Sequence, residues 1–201
     1  MYIPKFNQVT DAGVMLEFMQ HNAFATLVSL HQGMPFATPI PFVVESTQRL
    51  TGHMAKANPQ WTSFEQNGQV LIIFQGHHSF ISPTWYEKHP SVPTWNYMTV
   101  QAYGKLRVVE EPEAVKELLH ALVSQYEQEW KMEELPETYL HGMMQGIVAF
   151  EIEITRLEGK FKLSQNRSQA DQKRVVEALG ASSNPSDRAI AEQMAKHLEK
   201  Q

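Results

Sequence analysis

The stretch LTGHMAKANPQW, residues 50–61, places His53, Lys56 and Asn58 directly ahead of Pro59. The residues before them read as a strand. Those after them read as a helix start, with Asn58 able to cap and Pro59 suited to the first helical position. A strand running into a helix start exposes backbone N–H groups, and the helix dipole adds partial positive charge. A lysine ammonium and two further polar side chains beside such donors make a setting for a phosphate group. Taken alone, the same residues fit a plainer account in which Asn58 caps, Lys56 is solvated and His53 meets a local hydrogen bond.

Three further stretches carry chemistry. FQGHHSFISPTWY (74–86) and SVPTWNYMTV (91–100) gather Trp85, Tyr86, Trp95 and Tyr97 around prolines and histidines. Aromatic rings with polar tips suit half-wet pockets, and they equally suit a subunit interface or a core edge. KFKLSQNR (160–167) ends a strand-like run with two lysines, Gln165, Asn166 and Arg167. Nine histidines are present, yet there is no HExxH and no His pair at i, i+4 with an acidic partner, so no metal site is expected.

The elements that must position these residues are legible from periodicity. Residues 10–20 read as a short helix behind Thr10-Asp11. Strand character marks 23–30, 35–44, 49–54, 69–74, 78–82, 96–109 and 146–163, with a turn at Gly33 and a helix start over 58–66. Residues 110–130 form the clearest helix, acidic in its first turn. Two capped helices close the chain, at 168–180 with Ser168 as cap and at 184–200 with Asn184 and Pro185. Mostly adjacent strands with a few helices imply an α+β fold, an antiparallel barrel with peripheral helices and a two-helix C-terminal tail. The expected organisation is a barrel over 1–167, with the tail, 168–201, packed on it.

Composition narrows the function. The 201 residues carry 42% hydrophobic and 19% charged side chains, an ordinary globular balance. Cysteine is absent, which removes disulfides, thiolate metal sites and thiol nucleophiles. No signal peptide and no membrane-length apolar run is legible, so a cytoplasmic protein is expected. A net charge of −5 opposes nucleic-acid binding by the chain as a whole.

Together, MYIPKF at the start, GHMAKANPQW, FQGHHSFISPTWY, VPTWNYMTVQAYGKL and KFKLSQNR recur in an order that resembles the FMN-binding split-barrel proteins of the PaiB type, the FMN-binding negative transcriptional regulators. The stretches span nearly the whole chain. One departure is His77 after Gly76, where the resemblance implies proline. The resemblance implies a split β-barrel, a homodimer and two FMN sites at the subunit interface. Carried over, His53, Lys56 and Asn58 would hold the phosphate, and Pro39, Ile40 and Pro41 would run along the isoalloxazine. Trp95, Asn96 and Tyr97 would line the site, while Lys162, Gln165 and Arg167 would reach in from the other subunit.

The function implied is that of an FMN-binding regulator, with a flavin-dependent oxidoreductase acting on a small substrate as the alternative. No catalytic residues are assigned, because the sequence shows no nucleophile–base pair, no paired carboxylates and no nicotinamide-type glycine fingerprint. Some split barrels bind haem through a histidine instead, and His197 is the candidate for that alternative cofactor. Direct DNA binding by the tail is not expected. There Lys173, Arg174, Arg188, Lys196 and Lys200 stand against Asp171, Glu177, Asp187, Glu192 and Glu199.

Overall fold

The structure is a computed structural model and describes residues 1–64 and 68–199. In chain order the described elements are β1 (Gln8–Val9), α1 (Ala12–His21), β2 (Phe24–His31), β3 (Met34–Val44), β4 (Arg49–Ala55), β5 (Gln69–Ile81), β6 (Thr94–Val109), α2 (Pro112–Tyr126), α3 (Glu137–Met144), β7 (Ile147–Lys162), α4 (Gln169–Gly180) and α5 (Pro185–Leu198). The strands hydrogen-bond in the order β1-β7-β4-β3-β2-β5-β6, and β7 also pairs with β6, so the sheet closes on itself. This is the connectivity that the split-barrel expectation requires. The chain divides into two compact units: unit 1 takes residues 1–10, 75–100 and those from Glu158 onward, and unit 2 takes 11–74 and 101–157.

In unit 2 the β2–β3 hairpin turns on two residues, with His31 opposite Met34. Gln32 and Gly33 both hold positive φ, 51° and 76°, as a type I′ turn demands. Gly33 does so freely, whereas Gln32 accepts the steric cost. Phe42, Phe74, Phe150 and Phe64 fill the interior in a chain of tilted and edge-on contacts, with ring centroids 6.1–6.3 Å apart. Gly52 lies beneath them, where a Cβ would stand 3.2 Å from the Phe150 ring. Helix α1 is capped by Asp11, whose carboxylate accepts from Gly13 N and Val14 N, and it buries Met15 and Met19. Helix α2 is capped by Glu111, and its Val115 and Leu118 pack on Ala149 of β7.

In unit 1 the two C-terminal helices are anchored, not appended. Ser168 caps α4 through Asp171 N, and Asn184 caps α5 through Ser186 N. Val175 and Leu179 of α4 are buried, as are Ile190 and Met194 of α5. Asp171 Oδ1 accepts from Glu87 N at 2.8 Å, while Ser186 Oγ accepts from His78 N and donates to His78 O. Arg174 is paired with Glu87, and Arg188 donates to Ser182 O.

Several expectations change. The runs 69–74 and 78–82 are one strand, β5. Its buried positions are 70, 72 and 74, then 79 and 81, so the inward face shifts by one residue between the two runs. That phase shift made the sequence look broken. The helix start at Asn58 is a 3-10 turn, Pro59–Ser63, and the expected positions 65 and 66 lie outside the described residues, as does Lys200. Helix α3 and the short β1 were not anticipated; α3 buries only Leu140 and so shows little periodicity.

Gly104 of β6 lies where a Cβ would come within 2.6 Å of both Glu153 O and Ile152 Cγ2 on β7. A strand carbonyl cannot yield as a flexible side chain can, so Gly104→Ala is expected to destabilise by about 1–3 kcal/mol or more. A urea midpoint unchanged from the parent would contradict this.

Candidate functional site

The corner after β4 is built from backbone bonds that close on themselves. His53 sits opposite Ala149 in the β4–β7 ladder. Lys56 N donates to Gly146 O at 2.8 Å, Asn58 N to Ala55 O at 2.9 Å, and Gln60 N to Asn58 Oδ1 at 3.0 Å. These N–H groups are therefore engaged, contrary to the expectation of open donors. The adjoining 3-10 turn of 5 residues adds little dipole. An anion here would depend on side chains as well as on backbone.

Two side chains are suited to it. Lys56 is exposed, and its ammonium has no ion-pair partner among the described residues. Its carbonyl accepts from Trp61 Nε1 at 2.9 Å, which fixes the backbone beneath the ammonium. His53 is half-buried, and its Nδ1 is out of solvent with no hydrogen-bond partner among the described residues. The expected local hydrogen bond is thus missing at that atom. Burial pushes the imidazole below its usual pKa. A buried orphan nitrogen and, three residues on, an exposed lysine fit a ligand with acceptor oxygens.

The sequence did not reveal what holds this corner. Gln60 is 0% exposed, and its amide is satisfied from four sides. Its Nε2 faces Ser29 Oγ at 3.0 Å, Phe36 O at 3.1 Å and Leu27 O at 3.4 Å, while its Oε1 accepts from Thr38 Oγ1 at 2.6 Å. Asn58 Nδ2 donates to the same Thr38 Oγ1 at 3.0 Å. Ser63, at the far end of the turn, meets His31 Nδ1 at 2.8 Å. A glutamine after Asn-Pro carries no signal that it will be buried; only the packed structure shows it.

The three residues expected along an isoalloxazine lie on β3, beside that network. Pro39 is exposed, Pro41 half-buried and Ile40 buried, so the Ile40 side chain faces the core. From Pro35 to Pro41, β3 pairs with β2, while its pairing with β4 begins only at Phe42. Phe42 N points to β2, donating to Ala23 O, so the odd-numbered residues 35, 39 and 41 turn their nitrogens to the other edge. All three are proline, and that edge cannot bond a further strand as an ordinary one would. The outward face here is apolar. Phe24, Thr26, Val28 and Leu30 of β2 lie opposite Pro41, Pro39, Ala37 and Pro35, with Ile73 and Leu71 on the other side. Phe24 is 70% exposed and Leu30 49%.

The remaining expected residues cluster in unit 1. Trp95 is 52% exposed and packs against His78 and Phe80, with centroids 5.8 Å away in each case. Asn96 is fully buried: its Nδ2 donates to Ser164 Oγ at 3.0 Å and lies 3.4 Å from Met194 Sδ. Ser164 holds a left-handed φ of 63°, a strained conformation at a buried non-glycine residue. Lys160 stands 5.3 Å from the Tyr97 ring centroid. Lys162 Nζ donates to Thr94 Oγ1 at 2.6 Å and to Trp95 O; burial, then Lys160 and Arg167, hold its pKa below the usual lysine value. Gln165 is spent locally on Leu163 N and Phe161 O. Arg167 lies 4.1 Å over the Tyr86 ring and reaches Ser91 Oγ. The group thus offers an aromatic face and three cations, while the amides of Asn96 and Gln165 serve the protein. His197, the candidate for haem, is half-buried in the last turn of α5. No cluster of three or more metal-ligating side chains occurs among the described residues.

Comparison with known proteins adds to this geometry. The family model described as "Putative FMN-binding domain" matches residues 1–156. The chain is 39% identical to the "Protease synthase and sporulation protein PAI 2" of Bacillus subtilis (strain 168), over 100% of both chains. Among solved structures, it resembles the flavocytochrome Anf3 of Azotobacter vinelandii at TM-score 0.64 and 15% identity, over 80% of this chain and 72% of that one. It also resembles the protein Rv2991 of Mycobacterium tuberculosis at TM-score 0.62 and 14% identity, over 84% and 95%.

The depressed His53 pKa makes the ligand-free protein sensitive to pH. As pH falls below about 6.5 the unfolded chain binds the proton first, so stability drops until the folded value is passed and is constant below it. His53→Gln is therefore expected to flatten the melting temperature between about pH 7 and pH 5. A variant profile as steep as the parent's would contradict the burial.

Proposed function

The chain belongs to the FMN-binding domain family, and on that premise we propose that it is a regulatory flavoprotein holding FMN by its phosphate at the corner after β4. The observation that carries this reading is the unpartnered, buried Nδ1 of His53, three residues before the exposed Lys56. A phosphate dianion supplies acceptor oxygens for both, and charge-assisted hydrogen bonds of this kind are about twice as strong as neutral ones. The exposed prolines of β3 offer a flat apolar surface for the ring system, with an edge that competing strands cannot occupy. Flavin, when bound, supplies redox chemistry, and the protein supplies orientation and electrostatic tuning.

FMN is preferred to FAD because FMN ends in the phosphate that this corner suits, and to haem because the matching family model is that of an FMN-binding domain. Trp95 and Tyr97, with Lys162 and Arg167, enter the reading as flavin contacts on chemistry alone, since rings and cations match an aromatic anion. Asn96 joins them through backbone only, its amide being spent, while Gln165 keeps one amide hydrogen beyond its bond to Phe161 O. The outward apolar face around Phe24 and Leu30 supports a homodimer, since such patches mark interaction sites.

The regulatory role rests on the family resemblance and on the relative named for protease synthesis and sporulation. Direct DNA contact is not part of it: in α4 and α5, Arg174 and Arg188 are engaged within the protein. No helix among the described residues is long and apolar enough to cross a membrane.

Lys56→Ala tests the phosphate assignment. In a fluorescence-quenching titration the variant is expected to bind FMN about tenfold or more weakly, near 1.4 kcal/mol. Its melting temperature without ligand should match the parent's, because Lys56 supports no core contact. Equal FMN affinity in the two proteins would overturn the assignment.

A further inference from the structure

Thr38, Asn58 and Gln60 form a closed ring of hydrogen bonds. Gln60 N–H donates to Asn58 Oδ1, Thr38 Oγ1 donates to Gln60 Oε1, and Asn58 Nδ2 donates to Thr38 Oγ1. Every donor and acceptor used is matched: the threonine hydroxyl gives one bond and receives one, and both ends of the Asn58 amide are occupied. The ring joins two segments far apart in sequence. Thr38 precedes Pro39 on the proline-bearing edge of β3, and Asn58 lies two residues after Lys56. Gln60 extends the ring into the hairpin through Ser29 and Phe36, so the corner cannot shift against β3 without breaking buried bonds.

We propose that Thr38 is a positioning residue for ligand phosphate: through Asn58 and Gln60 it sets the distance between the phosphate corner at His53 and Lys56 and the strand along which the ring system lies. The inference rests on the flavin reading above. It also gives Asn58 a part in the corner's position: one Nδ2 hydrogen is committed to Thr38 Oγ1, and the second remains for a phosphate oxygen. A fixed spacing matters because a small misplacement of a charged donor loses most of its binding contribution, whereas an apolar face tolerates it. The site then discriminates by ligand length, favouring a flavin with a terminal phosphate at that one distance over the same ring system without it.

The test compares FMN with riboflavin, which has the ring and ribityl chain but no phosphate. Thr38→Val keeps the shape and strand preference of threonine and removes both hydroxyl bonds. It is expected to weaken FMN binding about tenfold or more while riboflavin affinity stays within about twofold, so the ratio of the two affinities collapses. Thr38→Ser restores the hydroxyl and should bring the ratio back to within about threefold of the parent. Should the valine variant not fold, Thr38→Ala removes the same hydroxyl without a replacement methyl and serves in its place. Parallel losses for FMN and riboflavin, or an unchanged ratio, would overturn the positioning role and show a purely structural one. A parent protein that binds neither flavin would overturn the flavin reading itself, a different outcome from a parent that binds FMN with variants that bind it equally well.

Discussion

A carboxamide with no exposed surface must have its hydrogen bonds met inside the protein, because each one left open costs about 1–3 kcal/mol. Gln60 imposes that constraint on unit 2. Its partners come from both strands of the β2–β3 hairpin: Ser29 and Leu27 on one, Phe36 and Thr38 on the other. The hairpin register, fixed at its tip by two residues of positive φ, must therefore be correct before Gln60 can be buried. Once it is buried, the chain from Ala55 to Ser63 has one place to go, and His53 and Lys56 are carried with it.

The same strands show how a sheet keeps an edge open without becoming adhesive. Prolines at 35, 39 and 41 remove N–H groups along one side of β3, while the opposite nitrogens still bond β2. The outward face beside that edge remains apolar, with Phe24 and Leu30 unusually exposed for their size. An edge closed to strands and a face open to apolar partners suit a planar ligand and a second subunit better than a further strand. In unit 1 the division of roles is similar. Buried Asn96 holds the strained Ser164, Lys162 is tied to Thr94 and the Trp95 carbonyl, and the Trp95 ring is left at the surface.

Much of this was legible in the sequence. The caps at Asp11, Ser168 and Asn184 have the residue types their positions call for, and the Gly33 turn stands where a hairpin needs one. His53 and Lys56 stand where the pattern places them, at the end of β4 and in the turn after it. Other features arise from contacts that no local pattern encodes. Thr38 and Gln60 are 22 residues apart, and nothing near either indicates the other. The phase shift in β5 concealed a continuous strand, and the backbone bond from Lys56 N to Gly146 O filled a donor that local reasoning left open. Asn58 shows the limit well: its type announces the cap it forms with Gln60 N, but nothing near it announces its bond to Thr38 on β3.

Whether this fold retains FMN is the question on which the flavin reading stands, and retention after mixing and desalting tests it most directly. The purified protein would be incubated separately with FMN, FAD and haemin, passed through a desalting column and measured by absorbance. FMN is expected to stay with the protein, with its visible bands perturbed from those of the free flavin, and to be held better than FAD or haemin. A protein fraction that emerges without flavin, or with haem retained in preference to FMN, would contradict it.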